Sequence, residues 1–367
     1  MNIAVKFNLI FMRLCILGIF LAFLAQSAFS QEENIQLLLD QYALENEFNG
    51  TILIRKQEET IYHNSFGLAN REQDIPNTND TRYAIASITK LFTSVIILQL
   101  VTQGEIDFDK VIIDYLPDYG GSLGDQVTVH HLLTHTSGIQ NCEEVHTDST
   151  NLPDIYLDEI STDEILRKYC SGPQTAEVGS TFNYNNGDYI ILGKIIEKVS
   201  NDSYQNVLKQ QILVPLKMDE TGLIVTSEDI QNLAQGYKWN NDRKLFEKDP
   251  KRLFQNYYSA GAMYSSAEDL MKFSTALFNG TLLDDQAMKM LVRTYPETKS
   301  YGYGLWVRYP KYDKTVPKVA QRFGQIWGIN TLISQFFDHD ITVIVLANTD
   351  KVYVSEFQNI IGEKLLD

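Results

Sequence analysis

The chain has 367 residues, of which 44% are hydrophobic and 21% are charged, so it is long enough to bury the core of one large unit. It contains 47 acidic and 31 basic residues, which gives a formal net charge of −16 at pH 7. An acidic surface argues against nucleic acid and anionic membranes as partners. The charge does not identify a substrate, so the function has to be argued from motifs.

Residues 1–30 have the pattern of a secretory signal peptide. Two basic residues precede an apolar run at 14–25, and residues 28–30 place small side chains at the two positions that a signal peptidase reads. The alternative is a retained membrane anchor, but the run is short and lies close to the cleavage site. We therefore expect an exported protein, periplasmic or secreted, with no integral membrane span after signal removal. Its oligomeric state stays open.

Both ends of the remaining chain carry sheet and helix patterns. Residues 33–47 are predicted to form a helix, and residues 50–67 a hairpin of two strands. Near the other end, residues 331–348 predict a second hairpin around an Asp-His-Asp turn, and the apolar spacing over 354–365 predicts a closing amphipathic helix. The segments between are mainly helical. This order predicts one sheet that is built from both chain ends and interrupted by a helical insertion.

The segment Ser87-Ile88-Thr89-Lys90 opens a long apolar run. A serine and a lysine three positions apart on a helix share one face, so the hydroxyl and the amine can meet. A serine hydroxyl needs such a neighbour to take its proton at neutral pH. Because the helix is apolar nearly all round, desolvation and the helix dipole both disfavour the ammonium form of Lys90. The pattern is common, however, and a helix N-cap followed by a surface lysine is the alternative.

A second segment, Phe-Asn-Tyr-Asn-Asn-Gly at 182–187, is rich in turn residues and leads into a helical pattern at 189–197. Tyr184 on such a loop can carry protons when a nearby cation lowers its pKa, and Lys90 is a candidate for that cation. The alternative is a tyrosine that only packs its ring.

Together the two segments resemble the serine β-lactamase and penicillin-binding-protein superfamily, and specifically its branch of class C β-lactamases, D-Ala-D-Ala carboxypeptidases and related esterases. The resemblance spans nearly the whole chain after the leader, with the motifs in the family's order and spacing. Besides S-x-x-K and Y-x-N, it includes GEIDFD at 104–109, YLPDY at 115–119, HLLTHTSG at 131–138, SAGAMYSSAEDL at 259–270 and YGYG at 301–304.

The resemblance implies an α/β fold, in which an antiparallel sheet flanked by helices is built from both chain ends and carries an inserted, mainly helical lobe. It implies one catalytic domain at 31–367. The α/β lobe then covers about 31–85 and 258–367, and the helical lobe covers about 86–257.

The resemblance also implies roles for individual residues. Ser87 attacks a carbonyl, and Lys90 and Tyr184 share the proton transfers. Asn186 orients the lysine or a substrate amide. The backbone N–H groups of Ser87 and Gln325 form the oxyanion hole that stabilises the tetrahedral intermediate. No metal and no organic cofactor is implied.

The third motif of the family, usually K-T-G or H-x-G, falls on Arg322-Phe323-Gly324. A guanidinium cannot be deprotonated in a protein, so Arg322 cannot relay protons, although it can stabilise negative charge or bind a carboxylate. Phe323 replaces the hydroxyl residue that helps to bind the substrate carboxylate in β-lactamases, and it is expected to add an apolar wall suited to simple esters. Gly324 and Gly328 are expected to let substrate approach the strand closely.

Two other patterns leave alternatives open. Cys142 and Cys170 form either a disulfide, as an oxidising compartment permits, or two independent buried thiols. His131 and His135 lie four apart on a predicted helix, but a metalloprotease motif needs an acid where Leu132 stands. We therefore predict no metal site and interpret the histidines as part of a structural turn that ends at 138.

The sequence thus predicts an exported serine hydrolase that forms an acyl-enzyme on a small-molecule or peptide substrate. The bond cleaved is an ester, an amide or a β-lactam, and the motifs do not separate esterase, D-peptidase and β-lactamase. The alternative is a binding protein of the same fold that acts as a penicillin-binding sensor or scaffold, acylates slowly and does not turn over. The altered third motif favours this alternative, whereas the retained Ser87, Lys90, Tyr184 and Asn186 oppose it.

Overall fold

The computed structural model describes residues 34–144, 153–225, 230–250, 253–313 and 315–366. The expected signal peptide at 1–30 lies outside them. Over these residues, the helices are all too short or too polar to cross a membrane.

A six-stranded antiparallel sheet forms the centre of the fold. Its strands lie in the order β10 (Trp306–Arg308), β11 (Val319–Ile326), β12 (Ile329–Phe336), β13 (Ile341–Ala347), β1 (Gly50–Lys56) and β2 (Glu59–Phe66). β1 pairs with β13 from Gly50 opposite Ala347 to Lys56 opposite Ile341, so the two chain ends meet in the middle of the sheet. β13 is rich in β-branched residues and is buried along its whole length, as expected for a central strand.

Helices cover both faces of this sheet. On the outer face, α1 (residues 34–45) and α11 (Ser355–Leu365) enclose a core cluster that includes Leu39, Val343 and Phe357. The larger cluster lies on the other face, around the buried helices α2 (Thr89–Thr102) and α6 (Asn186–Ser200). The remaining helices are α3 (Ile112–Tyr115), α4 (Val129–Leu133), α5 (Thr162–Tyr169), α7 (Tyr204–Leu208), α8 (Tyr258–Gly261), α9 (Ala267–Phe278) and α10 (Asp285–Leu291).

Short strands connect the helical part to the main sheet. β5 (Tyr83–Ala84), β9 (Met263–Ser265) and β6 (Gly222–Leu223) form a small antiparallel sheet, while β3 (Leu68–Asn70) pairs with β4 (Ile75–Pro76), and β7 (Tyr237–Asn240) pairs with β8 (Leu245–Lys248). The predicted hairpins and terminal helices are confirmed, as is the fold class, a sheet from both chain ends with helices inserted between.

Cys142 and Cys170 are free and fully buried. Burial in apolar surroundings raises the pKa of both thiols, so neither forms a thiolate readily. Of the two alternatives that the sequence leaves open, the structure has the pair of independent thiols.

We therefore expect Cys142 and Cys170 to resist a thiol reagent such as DTNB in the native protein and to react fully after denaturation without reductant. Reductant should leave the melting temperature unchanged. If the denatured, unreduced protein lacks two thiols that appear on reduction, the cysteines form a disulfide and are not independent thiols.

Candidate active site

Ser87 lies in a 3₁₀ turn, Ala86–Ile88, that leads directly into α2. The residue before it, Ala86, has a φ of 45°, a region that side chains with a Cβ rarely adopt. Two hydrogen bonds hold the turn: Thr89 Oγ1 donates to the Ala86 carbonyl at 2.7 Å, and Arg322 Nε donates to the Ser87 carbonyl at 2.6 Å. The Ser87 side chain itself stays partly exposed.

Lys90 is completely buried in the first turn of α2. Its Nζ donates to Ser87 Oγ at 3.2 Å, to Asn186 Oδ1 at 2.5 Å and to the Ala260 carbonyl at 2.7 Å. Burial lowers the pKa of Lys90, and the positive charge of Arg322 lowers it further. The predicted pairing of Ser87 with a desolvated lysine is therefore present.

Tyr184 stands over the same serine. Its hydroxyl lies 2.8 Å from Ser87 Oγ and accepts a hydrogen bond from Arg322 Nη2 at 2.8 Å. Burial alone raises the pKa of this phenol, but the positive charges of Arg322 and Lys90 outweigh it and lower the pKa to about 8. Part of Tyr184 is therefore ionised near neutral pH and can accept the serine proton.

Arg322 lies behind the site and not on its surface. Arg322 is 1% exposed, and its guanidinium donates to the Ser87 carbonyl, to Tyr301 Oη at 3.1 Å and to Tyr184 Oη. The sequence predicts that Arg322 binds substrate, but its donors are directed at the protein's own groups. The structure instead places a cation in direct hydrogen-bond contact with the Tyr184 hydroxyl.

The rest of the third motif also differs from expectation. Phe323 packs against the outer core cluster, opposite Leu332 of β12, so it does not form the apolar wall of a substrate site. A Cβ at Gly324 would lie 2.2 Å from the Ile85 carbonyl oxygen, and one at Gly328 would lie 2.4 Å from the backbone of Tyr237. The space beside these glycines is therefore filled by the protein's own backbone and not by substrate. The absence of a side chain at Gly324 lets β11 pack against the turn that carries Ser87.

His135 holds the loop that carries Tyr184 through contacts with the residues on either side of it. Its carbonyl accepts from Asn183 N at 2.8 Å, its Nδ1 accepts from Asn185 N at 3.2 Å, and its ring lies 4.5 Å from the Tyr184 ring. Asp188 is buried beside it, with Oδ2 at 3.3 Å from Nδ1. Burial lowers the pKa of His135 well below its usual value and raises the pKa of Asp188, so it disfavours the charged form of each group.

The histidine pattern is only partly as predicted. His131 lies in α4, but the helix ends at Leu133, and His135 adopts a φ of 56° beyond it in the turn that ends at Gly138. Its role as part of a structural turn is thus retained, although it is not helical. The described residues contain no group of three or more His, Cys, Asp or Glu side chains that could hold a metal ion.

A cavity of about 470 Å³ opens over Ser87, and its walls include a residue that the motifs did not predict. That residue is Glu143, which accepts from Asn186 Nδ2 at 3.0 Å. Its segment has no periodicity or family motif, so no sequence signal pointed to it. The lining residues are Ser87, Glu143, Tyr156, Tyr184, Asn186, Lys238, Gln325, Ile326, Trp327 and Asp350.

Comparison with known proteins identifies the architecture around this cavity. Residues 42–362 match the family model described as Beta-lactamase. The chain belongs to the β-lactamase family. Its fold is also that of a solved member. The structure of a penicillin-binding protein from Bacillus halodurans superposes with a TM-score of 0.70 at 29% identity, and the match covers 84% of this chain and 94% of that one.

Two curated members of the β-lactamase family cover most of the chain. Esterase EstB of Burkholderia gladioli is 27% identical over 364 residues, 89% of this chain and 92% of that protein. Penicillin-binding protein 4* of Bacillus subtilis is 26% identical over 336 residues, 88% of this chain and 73% of that protein. The resemblance stated from the motifs is confirmed, and the chain is a hydrolase of this family.

The lowered pKa of Tyr184 gives a spectroscopic prediction. Because Arg322 and Lys90 favour the phenolate, tyrosinate absorbance at 295 nm should include one group that titrates near pH 8. The difference between the parent and Tyr184→Phe isolates this group from the other tyrosines. If the two proteins titrate identically below pH 9, Tyr184 is not acidified.

The close approach at Gly324 gives a second prediction. The added methyl group of Gly324→Ala must push β11 away from the Ser87 turn, so we expect the free energy of unfolding to fall by about 1 to 3 kcal/mol. Gly120→Ala is the matched control, since a Cβ there meets nothing within 4 Å. Urea unfolding of both variants makes the measurement, and equal stabilities would mean that the strand tolerates a side chain at 324.

Proposed function

We propose that this protein hydrolyses esters or amides through an acyl-enzyme on Ser87, with Tyr184 as the general base. The observation that carries the proposal is the 2.8 Å contact between Tyr184 Oη and Ser87 Oγ, made beside two buried cations. A serine needs a base within hydrogen-bond reach, and an acidified phenol in this position is one.

The first half of the reaction forms the acyl-enzyme. Ser87 Oγ attacks the substrate carbonyl carbon while its proton passes to the Tyr184 phenolate. The carbonyl oxygen becomes an oxyanion, which the backbone N–H groups of Ser87 and Gln325 stabilise, each donor contributing about 3 kcal/mol in comparable sites. Tyr184 then gives its proton to the leaving group as the bond to it breaks.

Water completes the cycle. Tyr184, again a phenolate, takes a proton from a water molecule that attacks the acyl carbon. The second tetrahedral intermediate collapses, Ser87 regains its proton from Tyr184, and the free acid leaves. Lys90 holds Ser87 Oγ in line throughout, while Asn186 fixes the position of the lysine amine.

The compartment and the partners that we propose rest on the sequence. We propose that residues 1–30 direct export and that the catalytic domain at 31–367 acts on a small molecule or peptide outside the cytoplasm. The motifs of Ser87 and Lys90 fall in the proposed helical lobe at about 86–257. Arg322 reaches them from the proposed α/β lobe, so the active site lies where the two lobes meet.

A serine-directed probe tests the function. A fluorophosphonate should label the protein once, at Ser87, and p-nitrophenyl butyrate should be turned over many times per enzyme. Ser87→Ala should lose both, whereas Ser94→Ala, a buried serine one helical turn beyond Lys90, should keep the labelling. Labelling that survives in Ser87→Ala refutes the nucleophile, and labelling without turnover in the parent favours the penicillin-binding sensor.

A further inference from the structure

Glu143 contributes a carboxylate to the cavity over Ser87. All three of its hydrogen bonds fall on one oxygen: Oε1 accepts from Asn186 Nδ2 at 3.0 Å, Tyr156 Oη at 2.7 Å and Tyr257 Oη at 2.9 Å. Across the part of the chain that the structure describes, Oε2 has no hydrogen bond. The three donors therefore fix the carboxylate and leave one oxygen for a ligand.

In the described part of the chain, the Glu143 carboxylate has no counter-ion in contact, and its charge acts on the buried Lys90 at longer range. Within the described segments, no lysine, arginine or histidine forms an ion pair with it, and its three donors are neutral amide and phenol groups. Two other charged residues line the cavity. Asp350 is acidic and accepts from Trp239 N at 2.7 Å, and Lys238 is exposed, with its amine 5.7 Å from the Trp327 ring. The cavity wall is thus acidic on balance.

The carboxylate is also placed near the reacting atoms. Asn186 bridges it to Lys90, with Nδ2 on Glu143 and Oδ1 on the lysine amine, which in turn contacts Ser87 Oγ. Ser87 and Glu143 line the same cavity, so an acyl group on Ser87 enters the space that the carboxylate faces. The third motif offers no matching clamp for an anion, because Arg322 is buried and Phe323 packs on the outer face of β11.

We propose that Glu143 selects acyl groups that carry an ammonium next to the carbonyl, as in esters and amides of amino acids with a free α-amine. This inference rests on the proposed acyl transfer at Ser87 and adds its substrate class. The ammonium donates a charge-assisted hydrogen bond to Oε2, which is stronger than a bond between neutral groups. An acyl group without the ammonium leaves the carboxylate unpaired beside it.

Four ethyl esters with the same leaving group test the inference: those of D-alanine, of L-alanine, of N-acetylalanine and of propionic acid. At pH 7 the alanine esters carry the ammonium and the other two do not. We expect kcat/KM for one alanine enantiomer to exceed that for both neutral esters by about 10-fold or more, the scale of one hydrogen bond to a charged group.

Glu143→Gln keeps the oxygen that accepts the three internal hydrogen bonds and removes the charge. We expect it to lower the ratio of kcat/KM for the alanine ester to kcat/KM for the N-acetylalanine ester by about 10-fold. The matched control is Glu144→Gln, the neighbouring exposed carboxylate outside the cavity lining, which should leave that ratio unchanged. Using a ratio within each variant separates recognition from any general loss of activity.

The outcomes distinguish the inference from the function on which it rests. If kcat/KM of the parent for the propionate or the N-acetylalanine ester equals kcat/KM for the alanine esters, the inference is overturned and the acyl-transfer function stands. An unchanged ratio in Glu143→Gln overturns it equally. If no ester is hydrolysed and no probe labels Ser87, the proposed function fails and takes the inference with it.

Discussion

The burial of two cations against one tyrosine is the constraint on which the rest of this structure depends. Lys90 and Arg322 are both removed from water, and a buried charge is costly unless it is hydrogen-bonded. Each cation therefore has three acceptors within hydrogen-bond distance. Both charges are then close enough to the Tyr184 hydroxyl to favour its ionised form.

Meeting that constraint fixes how the parts of the chain are arranged. The acceptors for Lys90 come from the Ser87 turn, α6 and α8, and those for Arg322 come from the Ser87 turn, the Tyr184 loop and Tyr301. The glycine at 324 lets β11 approach the turn, and His135 holds the loop at the residues on either side of Tyr184. The unfavourable φ of Ala86 is kept because hydrogen bonds to neighbouring carbonyls hold the turn from both sides.

The sequence predicted the parts of the site whose signals are local. Ser87, Lys90, Tyr184 and Asn186 stand in short motifs with defined spacing, and strand alternation and helical periodicity gave the sheet from both ends. Phe323 was misplaced because the family motif was given more weight than alternation, which puts it on the opposite face of a strand from Arg322. Glu143 was missed because its partners at 156, 186 and 257 are distant in sequence, so only the folded chain brings them together.

The pH dependence of kcat/KM for p-nitrophenyl butyrate tests the central claim most directly, because it reports the ionisation of the essential base in the free enzyme. With Tyr184 as that base, the rate should rise with pH through about 8 in the parent. Arg322→Gln removes a cation that favours the phenolate, so its ascending limb should move to higher pH, and Arg322→Lys should move it back. An ascending limb at the same pH in all three proteins would contradict the account.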